Sequence, residues 1–116
     1  MNAATPLTPA DIAQGQLDAY NVQDLDAHCA FFADDITVAD LNGAVTIQGI
    51  AAYRAKYVQV FADFPNNSAR LVNRISVGQT VIDHEDVSRG PGGPSFQVIA
   101  IYTIAGGKIA RVDFVK

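Results

Sequence analysis

The sequence predicts a single α+β domain, in which helices cover one face of a curved, mostly antiparallel sheet. Three observations predict it. Apolar residues recur at helical spacing in three stretches before residue 65. After residue 70, four β-rich runs alternate with short glycine-containing gaps. The two patterns are segregated along the chain, which is the arrangement of α+β folds. The 116 residues suit one domain, and 49% hydrophobic with 17% charged residues is a globular composition with enough apolar surface to bury a core.

Thr8-Pro9-Ala10-Asp11 reads as a helix start. Thr8 can cap, Pro9 suits the first helical position, and Asp11 lies near the positive end of the dipole. The helix is expected to reach Tyr20, with Ile12, Ala13, Gln16, Leu17 and Tyr20 on one face. Asp24 caps a second helix, in which Leu25, His28, Cys29 and Phe32 fall at i, i+3, i+4 and i+7 and Asp34-Asp35 ends the run. Ile36–Asp40 is a short strand, Leu41-Asn42-Gly43 a turn, and Val45–Gln48 a second short strand. Gly49 precedes a third helix carrying Ile50, Tyr53, Tyr57, Val60, Phe61 and Phe64 at helical spacing, and Pro65 stops it because the residue before a proline avoids the α region.

Arg70–Val77, Thr80–Arg89, Ser95–Ala105 and Lys108–Val115 follow as strands separated by Gly78-Gln79, by Gly90–Pro94 and by Gly106-Gly107, which are hairpin signals. The Ser95–Ala105 strand is apolar on both faces: Phe96, Val98, Ala100 and Tyr102 on one, Ile99 and Ile101 on the other. Such a strand needs cover on both sides. Helices cover one, and a second copy of the chain is expected to cover the other, giving a homodimer through the sheet.

The charge balance excludes several partners. A net charge of −4 and a pI near 4.8 leave no basic stripe for nucleic acid and no attraction to an anionic membrane surface. No apolar run reaches the length of a membrane span, and without a recognisable secretory pattern the expected location is cytoplasmic. One cysteine, Cys29, excludes an internal disulfide. Two histidines, His28 and His84, cannot make a three-ligand zinc site without carboxylates. No cofactor or metal is expected.

Tyr20–Asp26, followed by Phe32–Asp40, resembles the SnoaL-like and ketosteroid isomerase-like branch of the nuclear-transport-factor-2-like superfamily. Gly49-Ile50-Ala51-Ala52-Tyr53 resembles the start of that family's third helix, and Gly107-Lys108-Ile109-Ala110 its last hairpin. The resemblance implies a cone-shaped half-barrel around one apolar pocket that takes a small apolar molecule. It also implies roles. Asp40 stands where the family has its catalytic base, and Tyr57 where it has a supporting tyrosine. Gln16 occupies the place of the oxyanion tyrosine and Ala100 that of the protonated acid, so both of the family's oxyanion donors are replaced. Ketosteroid isomerase uses such tuned-acid chemistry.

Alternation places Asp40 on the face of Ile36 and Val38, where partial desolvation would suit a base, although Asp40–Gly43 is also good turn chemistry. The run Asp83-His84-Glu85-Asp86 breaks an apolar strand. Alternation pairs Asp83 with Glu85 and His84 with Asp86, and the resemblance turns Asp83, Glu85 and Val87 inward. His84 with a carboxylate could form an acid/base unit, or the run could be a network with Arg70, Arg74 or Arg111. His28 reads as a core histidine that could also face the pocket. Tyr53 and Tyr57 share one helix face, and Gln16, Glu85, Ala100 and Tyr102 are candidate pocket residues. Cys29, on a buried stripe, reads as a small hydrophobe. Two functions remain open: a cofactor-free acid/base isomerase, cyclase or dehydratase acting on a small carbonyl compound, or a non-catalytic ligand-binding or dimerisation domain.

Overall fold

The computed structural model describes residues 6–116. Helix α1 spans Pro9–Asn21 and α2 spans Leu25–Cys29. Strands β1 (Phe32–Asp40) and β2 (Val45–Gln48) lead into α3 (Ile50–Asp63). Strands β3 (Ser68–Val77), β4 (Thr80–Ser88), β5 (Ser95–Ala105) and β6 (Lys108–Val115) complete one six-stranded sheet of order β2-β1-β6-β5-β4-β3. Only β1 and β6 run parallel; every other neighbouring pair is antiparallel. The helices cover one face of the curved sheet, as the α+β reading expected. Among the described residues, no helix is long and apolar enough to cross a membrane.

The predicted start of α1 is present in full. The Thr8 hydroxyl accepts from the Asp11 amide at 3.1 Å, and Asp11 accepts from the Thr8 amide at 3.0 Å. This reciprocal box satisfies two backbone donors and is worth about 1 kcal/mol. Gly15 lets α1 lie flat on the chain below: a β-carbon there would stand 2.4 Å from the Phe31 ring. Gly49 joins β2 directly to α3 at φ +88°, a left-handed conformation suited to glycine.

Two local expectations are corrected. The second helix does not run through Phe32 but ends at Cys29, and Phe32–Asp35 belong to β1. The Phe31 carbonyl accepts from the Ile109 amide at 2.9 Å, and Phe32 pairs with Ile109 on β6. This pairing, 77 residues away in sequence, overrides the helical spacing. Phe32 nonetheless stays in the core, its ring centred 4.9 Å from that of His28.

The second correction concerns the end of β1. Its pairing with β2 skips Thr46, so the bulged strand is β2, while β1 keeps an unbroken register with β6 from Thr37 to Asp40. Asp40 pairs with Phe114 and so shares the face of Val38, as alternation expected. It closes the strand exposed, however, and not in the partly desolvated setting expected of a base.

The core lies between the helices and the inner face of the sheet. That face alternates cleanly on β4 and β5: Val81, Asp83, Glu85 and Val87 on one strand, and Val98, Ala100, Tyr102 and Ile104 on the other, are all buried.

Candidate functional site

Strand β4 brings two carboxylates into this apolar face, and their surroundings differ. Asp83 is fully buried and gripped by Arg74 of β3 through two bonds, Nε to Oδ1 at 2.7 Å and Nη2 to Oδ2 at 2.9 Å. Arg74 also donates to Gln14 Oε1 at 2.9 Å. Such a fork matches guanidinium to carboxylate and satisfies both.

Glu85, 6% exposed, has no such partner. Its Oε2 is the one buried side-chain polar atom among the described residues without a hydrogen bond. Burial, helped by repulsion from Asp83 and opposed by Arg74, pushes its carboxyl up to about 7. Buried polar groups are almost always paired, so an orphan oxygen is a functional signal.

Glu85 lines a chamber of about 60 Å³ together with Gln16, Leu17, Tyr20, His28, Tyr53, Tyr57, Ala69 and Val87. A second cavity of about 100 Å³ shares Tyr20, Tyr57 and Val87 with it and adds Val38, Thr46, Ile47, Lys56, Arg89, Phe96, Phe114 and Lys116. The three shared residues make the two spaces adjoining rooms of one cone.

The chamber's polar wall is a chain of hydrogen bonds. The His28 ring meets the Gln16 carbonyl through Nδ1 at 2.8 Å and the Tyr53 hydroxyl through Nε2 at 2.8 Å. A carbonyl only accepts, so Nδ1 carries the proton and Nε2 accepts from Tyr53. Burial pulls the imidazole down to about 4, against the upward pull of the Gln16 carbonyl, so the ring is neutral at pH 7. Gln16 Nε2 donates to the Tyr102 hydroxyl at 3.1 Å and to the Ala13 carbonyl at 3.0 Å. Tyr53, Tyr57 and Tyr102 are all raised by burial, so all three are protonated hydroxyls at neutral pH. The Tyr53 and Tyr57 rings lie 4.7 Å apart.

The structure thus brings Gln16, His28, Tyr53, Tyr57 and Glu85 together, with Tyr102 joined through Gln16. Ala100 is buried opposite Asp83 on the neighbouring strand and offers the site no polar group. Asp40 and His84 are elsewhere. Asp40 lies at the start of a turn, its carbonyl accepting from the Gly43 amide at 2.8 Å, and borders a surface cleft with Leu41, Phe114, Val115 and Lys116, of which Phe114 and Lys116 also line the larger cavity. His84 is on the outer face, its Nε2 donating to Gln97 Oε1 at 2.5 Å. The network reading of the polar run holds for its two aspartates, Asp83 with Arg74 and Asp86 with Arg70. Arg111 instead pairs with Asp113 at 3.0 Å.

Sequence reasoning missed Tyr20 and Arg89. The Tyr20 hydroxyl accepts from Asn67 Nδ2 at 2.6 Å, and Arg89 Nη1 donates to Asn67 Oδ1 at 2.8 Å. The signals were present: Tyr20 is one helical turn beyond Gln16, and Arg89 continues the alternation Asp83, Glu85, Val87.

A family model described as SnoaL-like domain matches residues 13–112. No curated protein matches by sequence. Among solved structures, a cystatin-fold protein of uncharacterised function from Novosphingobium aromaticivorans is 33% identical, with a TM-score of 0.88 over 95% of this chain and 99% of that one. A candidate polyketide cyclase from Sinorhizobium meliloti is 27% identical, with a TM-score of 0.76 over 94% of this chain and 100% of that one. A candidate ketosteroid isomerase from Kribbella flavida, 15% identical with a TM-score of 0.76 over 91% and 75% of the two chains, shares the fold.

Proposed function

The chain belongs to the SnoaL-like domain family, and from that premise we propose that its cone is an acid/base site for a small carbonyl compound, with Glu85 as the proton carrier in place of Asp40. The observation that carries this reading is the unpartnered Glu85 Oε2 beside the chamber. A carboxyl near pH 7 is half ionised at neutral pH, where a general base is most useful. As carboxylate it removes a proton from the carbon next to the carbonyl. Tyr57, which lines both cavities and stays protonated, donates to the enolate oxygen. The acid form of Glu85 then returns the proton to carbon, which gives isomerisation, or to a departing hydroxyl, which gives dehydration. The His28–Tyr53 pair holds the opposite wall and carries no proton in this scheme, since burial keeps the imidazole neutral.

The test is deuterium incorporation next to the carbonyl of small ketones in heavy water, followed by NMR. Exchange is expected to rise with pH through about 7 and to vanish in Glu85→Gln. A wild-type protein that binds ketones and exchanges none refutes the catalytic reading.

The size of the chamber, about 60 Å³ and walled by aromatic rings, favours a second reading, a binding module that holds a small ligand without converting it. It requires a co-purified ligand to be recovered unchanged after long incubation.

We also propose that the outer face of the sheet joins two copies of the chain. Ile75, Ile82 and Ile101 stand in register across β3, β4 and β5, with Ile99 on the same face. A monomeric mass by light scattering at micromolar concentration would refute the dimer.

A further inference from the structure

The larger of the two adjoining cavities is lined by three cations, Lys56 of α3, Arg89 after β4 and Lys116 after β6, and by no acidic side chain. In a chain of net charge −4 this is an inversion of the local field. The inversion is sharpened by how the other cations are used. Arg54, Arg70, Arg74 and Arg111 each hold a carboxylate, and Lys108 rests on the Ala30 carbonyl. Among the described residues, the three that line this cavity form no ion pair with an acid.

Arg89 is held in place by what surrounds it. Its guanidinium stacks over the rings of Phe64 at 5.5 Å and Phe96 at 5.0 Å, and Nη1 is fixed on Asn67. Nη1 also reaches the Tyr20 hydroxyl at 3.4 Å, which leaves Nε and Nη2 without a side-chain partner among the described residues. The three cations also crowd one another, since Lys116 and Arg89 both add to the burial that pulls the Lys56 ammonium down. Like charges gathered around one cavity cost free energy that a bound anion relieves, and they speed an anion's approach.

The geometry points to a ligand with an anionic head: we infer that the cone takes a small oxo-carboxylate, its carboxylate at Lys56 and Arg89 and its carbonyl in the chamber beside Glu85 and Tyr57. This rests on the carbonyl reading above and narrows it. Tyr20 and Tyr57, which wall both rooms, separate the two polar ends and enclose the carbon skeleton between them.

The experiment compares levulinate (4-oxopentanoate) with its methyl ester, which share a skeleton and differ in charge. Both are titrated against the full chain by NMR. Levulinate is expected to bind about tenfold more tightly at low salt, with the preference shrinking as salt rises. Lys56→Gln is expected to weaken levulinate about fivefold, the worth of one charge at contact distance in water, and to leave the ester unchanged. Arg89→Gln is expected to act in the same direction; Lys56 is exposed, so its variant decides if Arg89→Gln misfolds. Equal binding of the ester, a preference unaltered in Lys56→Gln, or no binding of either compound overturns the inference. Glu85→Gln keeps the two ideas apart, because it is expected to lose proton exchange and keep the carboxylate preference. A wild-type protein that prefers levulinate but exchanges no proton refutes only the catalytic reading. One that exchanges protons on the ester as fast as on levulinate refutes only the anion.

Discussion

Asp83 and Glu85 stand two residues apart on the same buried face of β4, and the molecule treats them in opposite ways. Around Asp83 the cone is closed: Arg74 fills the space, both carboxylate oxygens are bonded, and Gln14 occupies a third donor of the guanidinium. Around Glu85 the cone is open, and one oxygen has nothing to bond to. Burial of charge does not by itself mark a site. A carboxylate matched to a cation is architecture, while one left unmatched beside empty space is chemically available.

The comparison breaks most directly at Glu85. Glu85→Gln is expected to lower proton exchange about a thousandfold, within the usual worth of a general base. A variant of undiminished rate would make Glu85 as inert as Asp83. On the closed side, Arg74→Met leaves Asp83 buried without its partner and is expected to cost about 3 kcal/mol in urea unfolding, with the limb of any surviving catalysis moved to higher pH because Arg74 holds Glu85 down.

A pH series of stability sharpens the contrast further, because Glu85 and His28 pull against each other. From about pH 4.5 to 7 the folded state keeps a proton on Glu85 that the unfolded state has lost, so its contribution falls as pH rises. From about pH 4 to 6.5 the unfolded state holds a proton on His28 that the folded state refuses, so that contribution rises with pH. Each spans about 3 kcal/mol, and they cancel over the shared window. Glu85→Gln is expected to expose stability that climbs from pH 4 to 6.5, and His28→Gln stability that declines from 4.5 to 7. Parallel curves for the two variants would mean that one of these groups is not shifted as its burial requires.

Tyr57→Phe is a smaller perturbation, expected to cost about a hundredfold in exchange and little in stability, since it removes a single donor. Smallest of all is Asp40→Asn. With its side chain exposed in a turn, it is expected to change stability by less than about 0.5 kcal/mol and to leave exchange unaltered.

The periodic parts of this molecule were legible in the sequence. The Thr8 cap, the Gly49 start of α3 and the bounds of β5 and β6 rest on neighbours within a few residues. What failed was set by distant partners. Alternation gave Asp40 the face of Val38, but whether anything covers that end of β1 depends on the rest of the fold, which leaves it exposed. Phe32 has helical spacing from His28 and strand pairing to Ile109, and no local rule says which prevails. At the site, alternation grouped Asp83 with Glu85 but could not tell the paired acid from the orphan, because Arg74 arrives from another strand. Lys56, Arg89 and Lys116 are scattered through the sequence and meet only in the folded cavity.

The parallel seam between β1 and β6 also dictates an order of assembly. The β1–β2 hairpin touches the rest of the sheet only through β6, the last strand of the sequence. During synthesis β3, β4 and β5 can form a meander from local turns, and α1 can meet it, while the hairpin waits. Two half-sheets with open edges therefore coexist until β6 slots between them, and the wall of the cone that carries Val38, Ile47 and Phe114 is built last.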